Sequence, residues 1–296
     1  MAKQPIFSGA GVAIVTPFDA DNRINYPVFQ KLIDWQIAQG TDAIIVCGTT
    51  GESPTLTHVE HSELIRQCVQ YVGGRVPVIA GTGSNDTAFG LKLSNEAERD
   101  GVDGLLMVTP YYNKTSQQGL VDHFTYLADR VSTPIILYNV PSRTGLNIQP
   151  ATYQALSAHK NINAAKEANG DVSSLAQTAA LCGDELVLYS GNDDQIVPFM
   201  SLGAAGVISV LSNVVPKTAH DIAAAALAGD YKTAAALQLG NLDLCTDLFA
   251  DVNPVPVKEA LNLMGWGVGD CRLPLTKIGD GAREKLLRAL KNHQLI

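Results

Sequence analysis

Short runs of apolar residues alternate with longer amphipathic stretches along most of the chain. The runs are apolar at nearly every position, which is typical of parallel strands that are covered on both faces. The eight candidate strands are GVAIVTP (11–17), DAIIVCG (42–48), PVIAGTG (77–83), GLLMVTP (104–110), PIILYNV (134–140), INAAKEA (162–168), LVLYSGN (186–192) and GVISV (206–210). Each gap between two of these runs carries a helical pattern.

The segment that begins at Thr57 has the clearest helical pattern. Thr57 and Glu60 have the spacing of a capping box, which marks a helix N-terminus. The apolar stripe of this segment consists of Ile65, Cys68, Val69 and Val72. Gly73 and Gly74 follow the stripe, so we expect the helix to end there.

The strand–helix alternation predicts a closed (β/α)8 barrel, the TIM barrel fold. An open doubly wound sheet is the alternative, but eight regular units fit closure better, and no G-x-G-x-x-G pattern follows the first strand. After about Val215 the sequence is alanine-rich and helical. We therefore predict a barrel domain over residues 1–225 and a C-terminal helical domain over residues 226–296.

Composition narrows the class of protein. The chain has 296 residues, of which 46% are hydrophobic, and a formal net charge of -8. This charge argues against nucleic acid or an anionic membrane as the main partner, because both require a basic surface. The N-terminus lacks the features of a secretory signal, and no apolar run approaches the roughly 18 residues of a membrane span. Five scattered cysteines without a CxxC motif predict reduced thiols in a cytoplasmic protein.

Polar residues are concentrated where the predicted strands end. Barrel enzymes carry their chemistry at the C-terminal ends of their strands. The relevant segments are GTTGE (48–52), TPYYN (109–113), YNVPSRTG (138–145), Lys166 and GNDD (191–194). If the barrel closes as predicted, these segments meet at one end of it.

Lys166 is the predicted nucleophile. A lysine usually packs its aliphatic stem on apolar surface and extends its ammonium into water. A lysine at the end of a buried strand is instead desolvated, which lowers the pKa of the amine and leaves free base to attack a carbonyl. No other predicted strand end offers a lysine.

Four further side chains are candidates for the same site. Tyr138 either packs with its hydroxyl hydrogen-bonded or transfers protons during imine formation. Thr49 and Thr50 either serve turn and capping geometry or hold a small carboxylate beside two glycines. Arg143 is either solvated or binds a substrate carboxylate through its planar guanidinium.

Other polar clusters receive simpler interpretations. His58 and His61 share one helix face, and we expect an exposed face rather than a metal site, because no ligand of metal-site type accompanies them. Asp193 and Asp194 could suggest Mg²⁺, but acids at a helix start stabilise the helix dipole. Residues 167–171 are expected to form a turn and a helix start without a chemical role.

Seven motifs in order resemble the 4-hydroxy-tetrahydrodipicolinate synthase family of pyruvate-dependent class I aldolases. They are GTTGE (48–52), TPYYNK (109–114), YNVPSRTG (138–145), KEANGD (166–171), SGNDD (190–194), GAAGVISVLSNVVP (203–216) and NPVPVKEAL (253–261). The resemblance runs from about Phe7 to beyond Pro274. It implies a barrel with a C-terminal helical domain, a homotetramer built as a dimer of dimers, and a lyase that condenses pyruvate with L-aspartate 4-semialdehyde on the route to diaminopimelate and lysine. It implies no metal and no organic cofactor.

The resemblance also implies roles for individual residues. Lys166 matches the lysine that forms the Schiff base, and Tyr138 matches the phenol that shuttles protons. Thr49 matches a threonine that relays protons to a second tyrosine. That tyrosine matches Tyr112, which in the family enters the site of the neighbouring subunit.

Four matched positions bind substrate in the family. Thr50 matches a ligand of the pyruvate carboxylate, and Arg143 matches the arginine that binds the carboxylate of the semialdehyde. Gly191 and Ile208 match positions whose backbone lines the pocket.

A lysine-binding allosteric site is matched only in part. The matching residues are Ser53, His58, His61, Asn85 and Tyr111, with Phe89 at the position of a glutamate. The glutamate pairs with the ligand's α-ammonium, and an ammonium buried without a counter-charge is costly. The sequence therefore predicts weak or absent inhibition by lysine.

Three other functions are weighed against this one. N-acetylneuraminate lyase and keto-deoxy sugar acid aldolases share the lysine and the tyrosine, but GTTGE, Arg143 and NPVPVKEAL favour the synthase. A non-catalytic barrel that binds keto acids would be expected to have lost one of the reactive side chains. A barrel isomerase that handles phosphate would need a glycine-rich grip after strands seven and eight, where SGNDD and SVLSN stand instead.

Overall fold

The computed structural model describes residues 2–296, which form a closed parallel barrel surrounded by helices. The strands are β1 (Gly9–Ala13), β2 (Ala43–Val46), β3 (Val78–Gly81), β4 (Gly104–Val108), β5 (Ile135–Asn139), β6 (Ile162–Glu167), β7 (Val187–Ser190) and β8 (Gly206–Ser209). Each strand pairs with the next in sequence, and β8 pairs with β1. The predicted (β/α)8 barrel is therefore confirmed.

Helices connect the strands and continue beyond the last one. Those of the barrel are α1 (Tyr26–Ala38), α2 (His58–Val72), α3 (Thr87–Asp100), α4 (Gln117–Ala128), α5 (Pro141–Thr144), α6 (Pro150–Ser157), α7 (Val172–Cys182), α8 (Ile196–Ser201) and α9 (Pro216–Leu227). Four more follow: α10 (Tyr231–Gly240), α11 (Leu242–Asp247), α12 (Val255–Leu263) and α13 (Asp280–Asn292). Among residues 2–296 there is no helix whose length and apolar character would suit a transmembrane segment.

Two apolar layers hold the barrel together, because side chains alternate between the faces of a strand. One layer fills the interior and includes Ile45, Tyr138, Ala164 and Ile208. The other lies between the strands and the helices, and includes Leu137 and Ala165. Lys166 lies two residues after the inward-facing Ala164, so the same alternation directs its side chain into the barrel.

The first strand lies earlier in the chain than predicted. It spans Gly9–Ala13, whereas the apolar run suggested 11–17. The chain leaves the ladder because the Val15 N–H donates to the side-chain oxygen of Asn213 at 3.1 Å rather than to a strand carbonyl. The polar side chain supplied by the segment after β8 thus ends a strand that the apolar pattern would have continued.

Helix α2 has the ends that the sequence predicts. The side chain of Thr57 accepts a hydrogen bond from the Glu60 N–H, and the Glu60 side chain bonds back to the Thr57 N–H. Gly73 terminates the helix in the left-handed conformation, which glycine adopts without steric cost. These caps are local interactions, which explains why the sequence pattern located both ends.

Candidate active site

Lys166 and Tyr138 lie side by side on adjacent strands inside the barrel. They are direct register partners between β5 and β6, and their exposed fractions are 5% and 7%. The Lys166 Nζ atom lies 4.3 Å from the centroid of the Tyr138 ring, within the range of a cation–π contact. Strand pairing therefore sets an amine and a phenol together at the C-terminal end of the barrel.

A cavity of about 580 Å³ opens at this end of the barrel. Its lining includes Thr49, Tyr138 and Arg143, three of the residues singled out from the sequence. They come from the loop after β2, from β5 and from α5, so one cavity collects side chains that are far apart in sequence. A cavity of this size suits a small organic substrate.

The GTTGE segment forms a tight loop after β2. Thr50 is buried, and its Oγ1 accepts a hydrogen bond from Nδ2 of Asn253 at 3.0 Å. Glu52 adopts the left-handed conformation and is also buried. A non-glycine residue is held in this conformation only where its surroundings stabilise it. The loop is thus fixed from outside the barrel, by contacts with the C-terminal segment.

Arg143 lies on α5, the short helix directly after β5. Its Nη2 donates to the backbone carbonyl oxygen of Asn253 at 3.1 Å. Asn253 therefore contacts both Thr50 and Arg143. Sequence reasoning assigned no role to Asn253, although it is the first residue of the NPVPVKEAL motif. A polar residue at the start of the apolar run PVPV (254–257) was the available signal.

Gly191 follows β7 and Ile208 lies in β8, and neither has a polar side chain. A Cβ at Gly191 would lie 2.7 Å from the Ala168 Cβ and 3.0 Å from the Glu167 carbonyl oxygen. Only glycine allows the end of β7 to approach β6 this closely. Ile208 is fully buried in the inner layer on β8.

Tyr112 lies outside this cavity in the single chain. It is 91% exposed and has a positive φ of 70°. A positive φ is uncommon for a bulky residue such as tyrosine. The structure therefore brings Lys166, Tyr138, Thr49 and Arg143 together, but not Tyr112.

Most residues of the lysine-site-like set line the same cavity. Those in its lining are Ser53, His58, His61, Phe89 and Tyr111. Asn85 is not in the lining, and its carbonyl oxygen accepts a hydrogen bond from Asn113 at 2.9 Å. The rings of His58 and Phe89 meet edge to face with centroids 6.0 Å apart.

The prediction of an exposed face for both histidines was wrong for His61. His61 is buried, and its Nε2 donates to the Gly81 carbonyl oxygen at 2.9 Å. Burial lowers the pKa of His61. His58 is half-buried and pairs with Glu96 at 2.7 Å. No cluster of three or more His, Cys, Asp or Glu side chains suited to a metal ion occurs within residues 2–296.

Asp193 and Asp194 lie in the first turn of a short 3-10 helix, as acids at a helix start would, but the Asp193 side chain bonds to a different segment. Asp193 is buried, and its Oδ2 accepts hydrogen bonds from the N–H groups of Val210 and Leu211 at 3.0 and 2.9 Å. Burial raises the pKa of Asp193; the hydrogen bonds from Ser209 and from the Leu211 and Val210 N–H groups oppose that effect, and the charge of Lys166 opposes it less. Asp193 therefore links the end of β7 to the segment after β8, a contact that its neighbours in sequence do not reveal.

Glu167 lies in β6 rather than in the turn that the sequence suggested. Its side chain points away from Lys166 into a buried network, where it accepts hydrogen bonds from Tyr153 Oη at 2.8 Å and from both Asn139 Nδ2 and the Asn169 N–H. Burial raises the pKa of Glu167 to about 7. Asp171 caps α7, as expected for a helix start.

A model of the dihydrodipicolinate synthetase family matches residues 6–293. The chain belongs to this family. The match includes the barrel and the C-terminal helices, so the family covers both parts of the structure described above.

Relatives and solved structures of this family match over nearly their whole length. A 4-hydroxy-tetrahydrodipicolinate synthase from Lachnoclostridium phytofermentans is 53% identical over 292 residues, covering 98% of this chain and 99% of the relative. Dihydrodipicolinate synthase from Aquifex aeolicus has a TM-score of 0.95 at 42% identity, with 98% and 99% of the two chains covered. The chloride inhibited enzyme from Acinetobacter baumannii, solved in complex with pyruvate, has a TM-score of 0.96 at 40% identity, with 98% and 99% covered.

Proposed function

We propose that this chain is a 4-hydroxy-tetrahydrodipicolinate synthase, which condenses pyruvate with L-aspartate 4-semialdehyde through a Schiff base. The observation that carries the proposal is the Lys166 amine, held 4.3 Å from the Tyr138 ring inside a barrel of this family. The names of the relatives support the choice of substrates.

Imine formation is assigned to Lys166 and Tyr138. The neutral amine adds to the ketone carbon of pyruvate, and the carbinolamine loses water to give an imine. The Tyr138 hydroxyl supplies the proton for the departing water, and Thr49 and Tyr112 extend the proton relay. The protonated imine is itself the electron sink, so the chemistry asks for no other cofactor.

Condensation and release follow from the same imine. Loss of a methyl proton gives an enamine, whose carbon forms a bond to the aldehyde carbon of the semialdehyde. The aldehyde oxygen takes up a proton and becomes a hydroxyl, and the imine on Lys166 is restored. The product amine then attacks the imine carbon and displaces Lys166, which closes the ring and restores the free enzyme. Thr50 binds the pyruvate carboxylate and Arg143 that of the semialdehyde, with the backbones of Gly191 and Ile208 lining the pocket.

The assembly and surroundings of the enzyme are part of the same proposal. A homotetramer built as a dimer of dimers would give the exposed Tyr112 a neighbouring site to enter. The division into a barrel domain over residues 1–225 and a helical domain over 226–296 agrees with the end of α9 at Leu227. Five free cysteines are in keeping with a cytoplasmic location.

Reductive trapping tests this function. The protein is incubated with pyruvate and borohydride, and the adduct is located by mass spectrometry. We expect the adduct on Lys166, none in K166R, and normal trapping in K160R, because Lys160 is an exposed lysine near the same strand. An adduct elsewhere, or none in the wild type, would overturn the mechanism.

Product assays test the second substrate. Pyruvate consumption is followed with L-aspartate 4-semialdehyde, and cleavage is assayed separately with a sialic acid. We expect turnover only with the semialdehyde. Cleavage of the sialic acid at a comparable rate would instead identify the chain as a lyase of sugar acids.

A further inference from the structure

We propose that Asn253 is a positioning residue that directs the hydroxyl proton of Thr50 toward the substrate carboxylate. The inference deepens the function proposed above and rests on it. It concerns a residue of the C-terminal segment, 203 positions away from Thr50 in sequence.

The chemistry of the contact determines the direction of the proton. The Nδ2 group of Asn253 is only a donor, so in its 3.0 Å contact with Thr50 the threonine oxygen is the acceptor. The hydroxyl proton of Thr50 must therefore point elsewhere. With the Asn253 amide in this orientation, the Thr50 hydroxyl donates no hydrogen bond within residues 2–296, although the Asn253 Oδ1 atom is buried without a partner. The proton therefore remains available to an anion bound at the loop.

Burial makes this arrangement effective. Thr50 and Asn253 are both buried, so bulk water does not compete for the hydroxyl. A carboxylate that receives a hydrogen bond in such surroundings gains more than it would in water, because the local dielectric constant is low.

Asn253 also holds the second anion-binding group. Its backbone carbonyl oxygen accepts a hydrogen bond from Arg143 Nη2 at 3.1 Å. The side chain of Asn253 thus acts on Thr50, which is assigned to pyruvate, while its backbone acts on Arg143, which is assigned to the semialdehyde. Substitutions of the side chain should therefore affect the two substrates unequally.

The C-terminal segment is itself attached to the same loop. Lys258 on α12, five residues after Asn253, forms a buried ion pair with Glu52, two residues after Thr50. Two contacts therefore connect the same pair of segments, and together they restrict how Asn253 can move relative to Thr50.

Substitution by aspartate reverses the hydrogen bond. A carboxylate only accepts, so in N253D the Thr50 hydroxyl would donate to residue 253 and be lost to the substrate. Hydrogen bonds to charged groups contribute about 1.5–3 kcal/mol, so we expect the pyruvate concentration for half-maximal trapping to rise about tenfold or more. In N253A the Thr50 hydroxyl stays free, so we expect the pyruvate concentration for half-maximal trapping to change by no more than about threefold. That corresponds to a much smaller free-energy difference than in N253D.

A double-mutant cycle separates this role from charge repulsion. T50V removes the hydroxyl, so N253D should then add less than about twofold in the T50V background. If repulsion between the introduced carboxylate and pyruvate caused the effect, it would persist undiminished in that background. The half-saturating concentration of the semialdehyde should change by less than about threefold in N253D. Arg143 bonds to the backbone carbonyl oxygen of residue 253, which the substitution leaves in place.

The outcomes are decisive in each case. Circular dichroism and thermal unfolding first establish that each variant is folded. Suppose that the wild type is trapped but N253D needs no more pyruvate for half-maximal trapping than the wild type, or that N253A needs more than N253D. Either result would overturn the role of Asn253 and leave the proposed function intact. Absence of trapping in the wild type would overturn both.

Discussion

The Nζ atom of Lys258 lies 2.9 Å from Oε1 of Glu52, and neither side chain is more than 2% exposed. Lys258 also donates to the carbonyl oxygens of Thr16 and Asp270, so each of its three N–H groups has an acceptor. The second oxygen of Glu52 accepts from the Arg272 N–H at 2.9 Å. A buried pair with this many partners connects α12 to the GTTGE loop and so attaches the C-terminal helices to the candidate site.

Removal of one partner of this pair should be strongly destabilising. K258M leaves the Glu52 carboxylate buried without its counter-charge, and we expect a loss of about 3–5 kcal/mol in the free energy of unfolding. The measurement is the urea midpoint. The exposed pair of Lys217 and Asp221 provides the control, since K217A should change stability by about 0.5 kcal/mol or less. Equal effects of K258M and K217A would contradict the prediction.

The hydroxyl of Tyr138 should matter for turnover more than for stability. Y138F keeps the ring beside Lys166 but removes the proton carrier, so we expect kcat to fall by about 10²–10⁴. Tyr189 offers a matched control, because it is the register partner of Lys166 on the opposite side. Its hydroxyl donates to the Phe7 carbonyl oxygen at 2.6 Å. Y189F should therefore lower the melting temperature while turnover stays within a few-fold; a similar loss of kcat in both variants would count against the assignment.

The network around Glu167 should give a pH-dependent stability. The pKa of Glu167 is about 7 in the folded protein, above its ordinary value of 4.5. Between these pH values the folded state holds a proton on Glu167 that the unfolded state has released. The contribution of Glu167 to the free energy of unfolding is therefore present in acid and is lost as the pH rises through about 7. We expect the stability of the wild type relative to E167Q to fall between about pH 5 and pH 7. The measurement is the unfolding free energy of both proteins across this range.

Glu98 provides a control of opposite sign for that experiment. Burial alone would raise the pKa of Glu98, but hydrogen bonds from the N–H groups of Thr133 and Ser132 hold the pKa below its ordinary value. The wild type should therefore lose stability relative to E98Q as the pH falls below the ordinary range of a glutamate. If the unfolding free energy of the wild type relative to E167Q stays constant or increases with pH, the effect assigned to Glu167 is disproved.

Lysine should inhibit this enzyme weakly or not at all. Phe89 lies on the wall of the cavity, edge to face with His58, where a carboxylate would be needed to pair with the ligand's α-ammonium. F89E should introduce that partner and lower the lysine concentration for half-maximal inhibition about tenfold or more, whereas F89L should not. Half-maximal inhibition of the wild type at sub-millimolar lysine would refute the prediction.

Local pattern accounts for the parts of the site that the sequence predicted. Lys166 and Tyr138 lie at the ends of consecutive apolar strands, and parallel neighbours in a barrel must bring such ends together. The caps of α2 were predicted for the same reason, since Thr57 and Glu60 are three residues apart. Strand ends were less predictable. The early end of β1 depends on the side chain of Asn213, which comes from beyond β8 and accepts the Val15 N–H.

The sequence by itself determined the barrel, the family and the adjacency of Lys166 and Tyr138 at the strand ends, because periodicity and motif order express interactions between residues that are near in the chain or on adjacent strands. Only the tertiary structure decided that Asn253 contacts Thr50, that Lys258 pairs with Glu52 and that Glu167 faces a buried network. The first two contacts join segments more than 200 residues apart. Their formation depends on the path of the whole chain, so no local pattern encodes them.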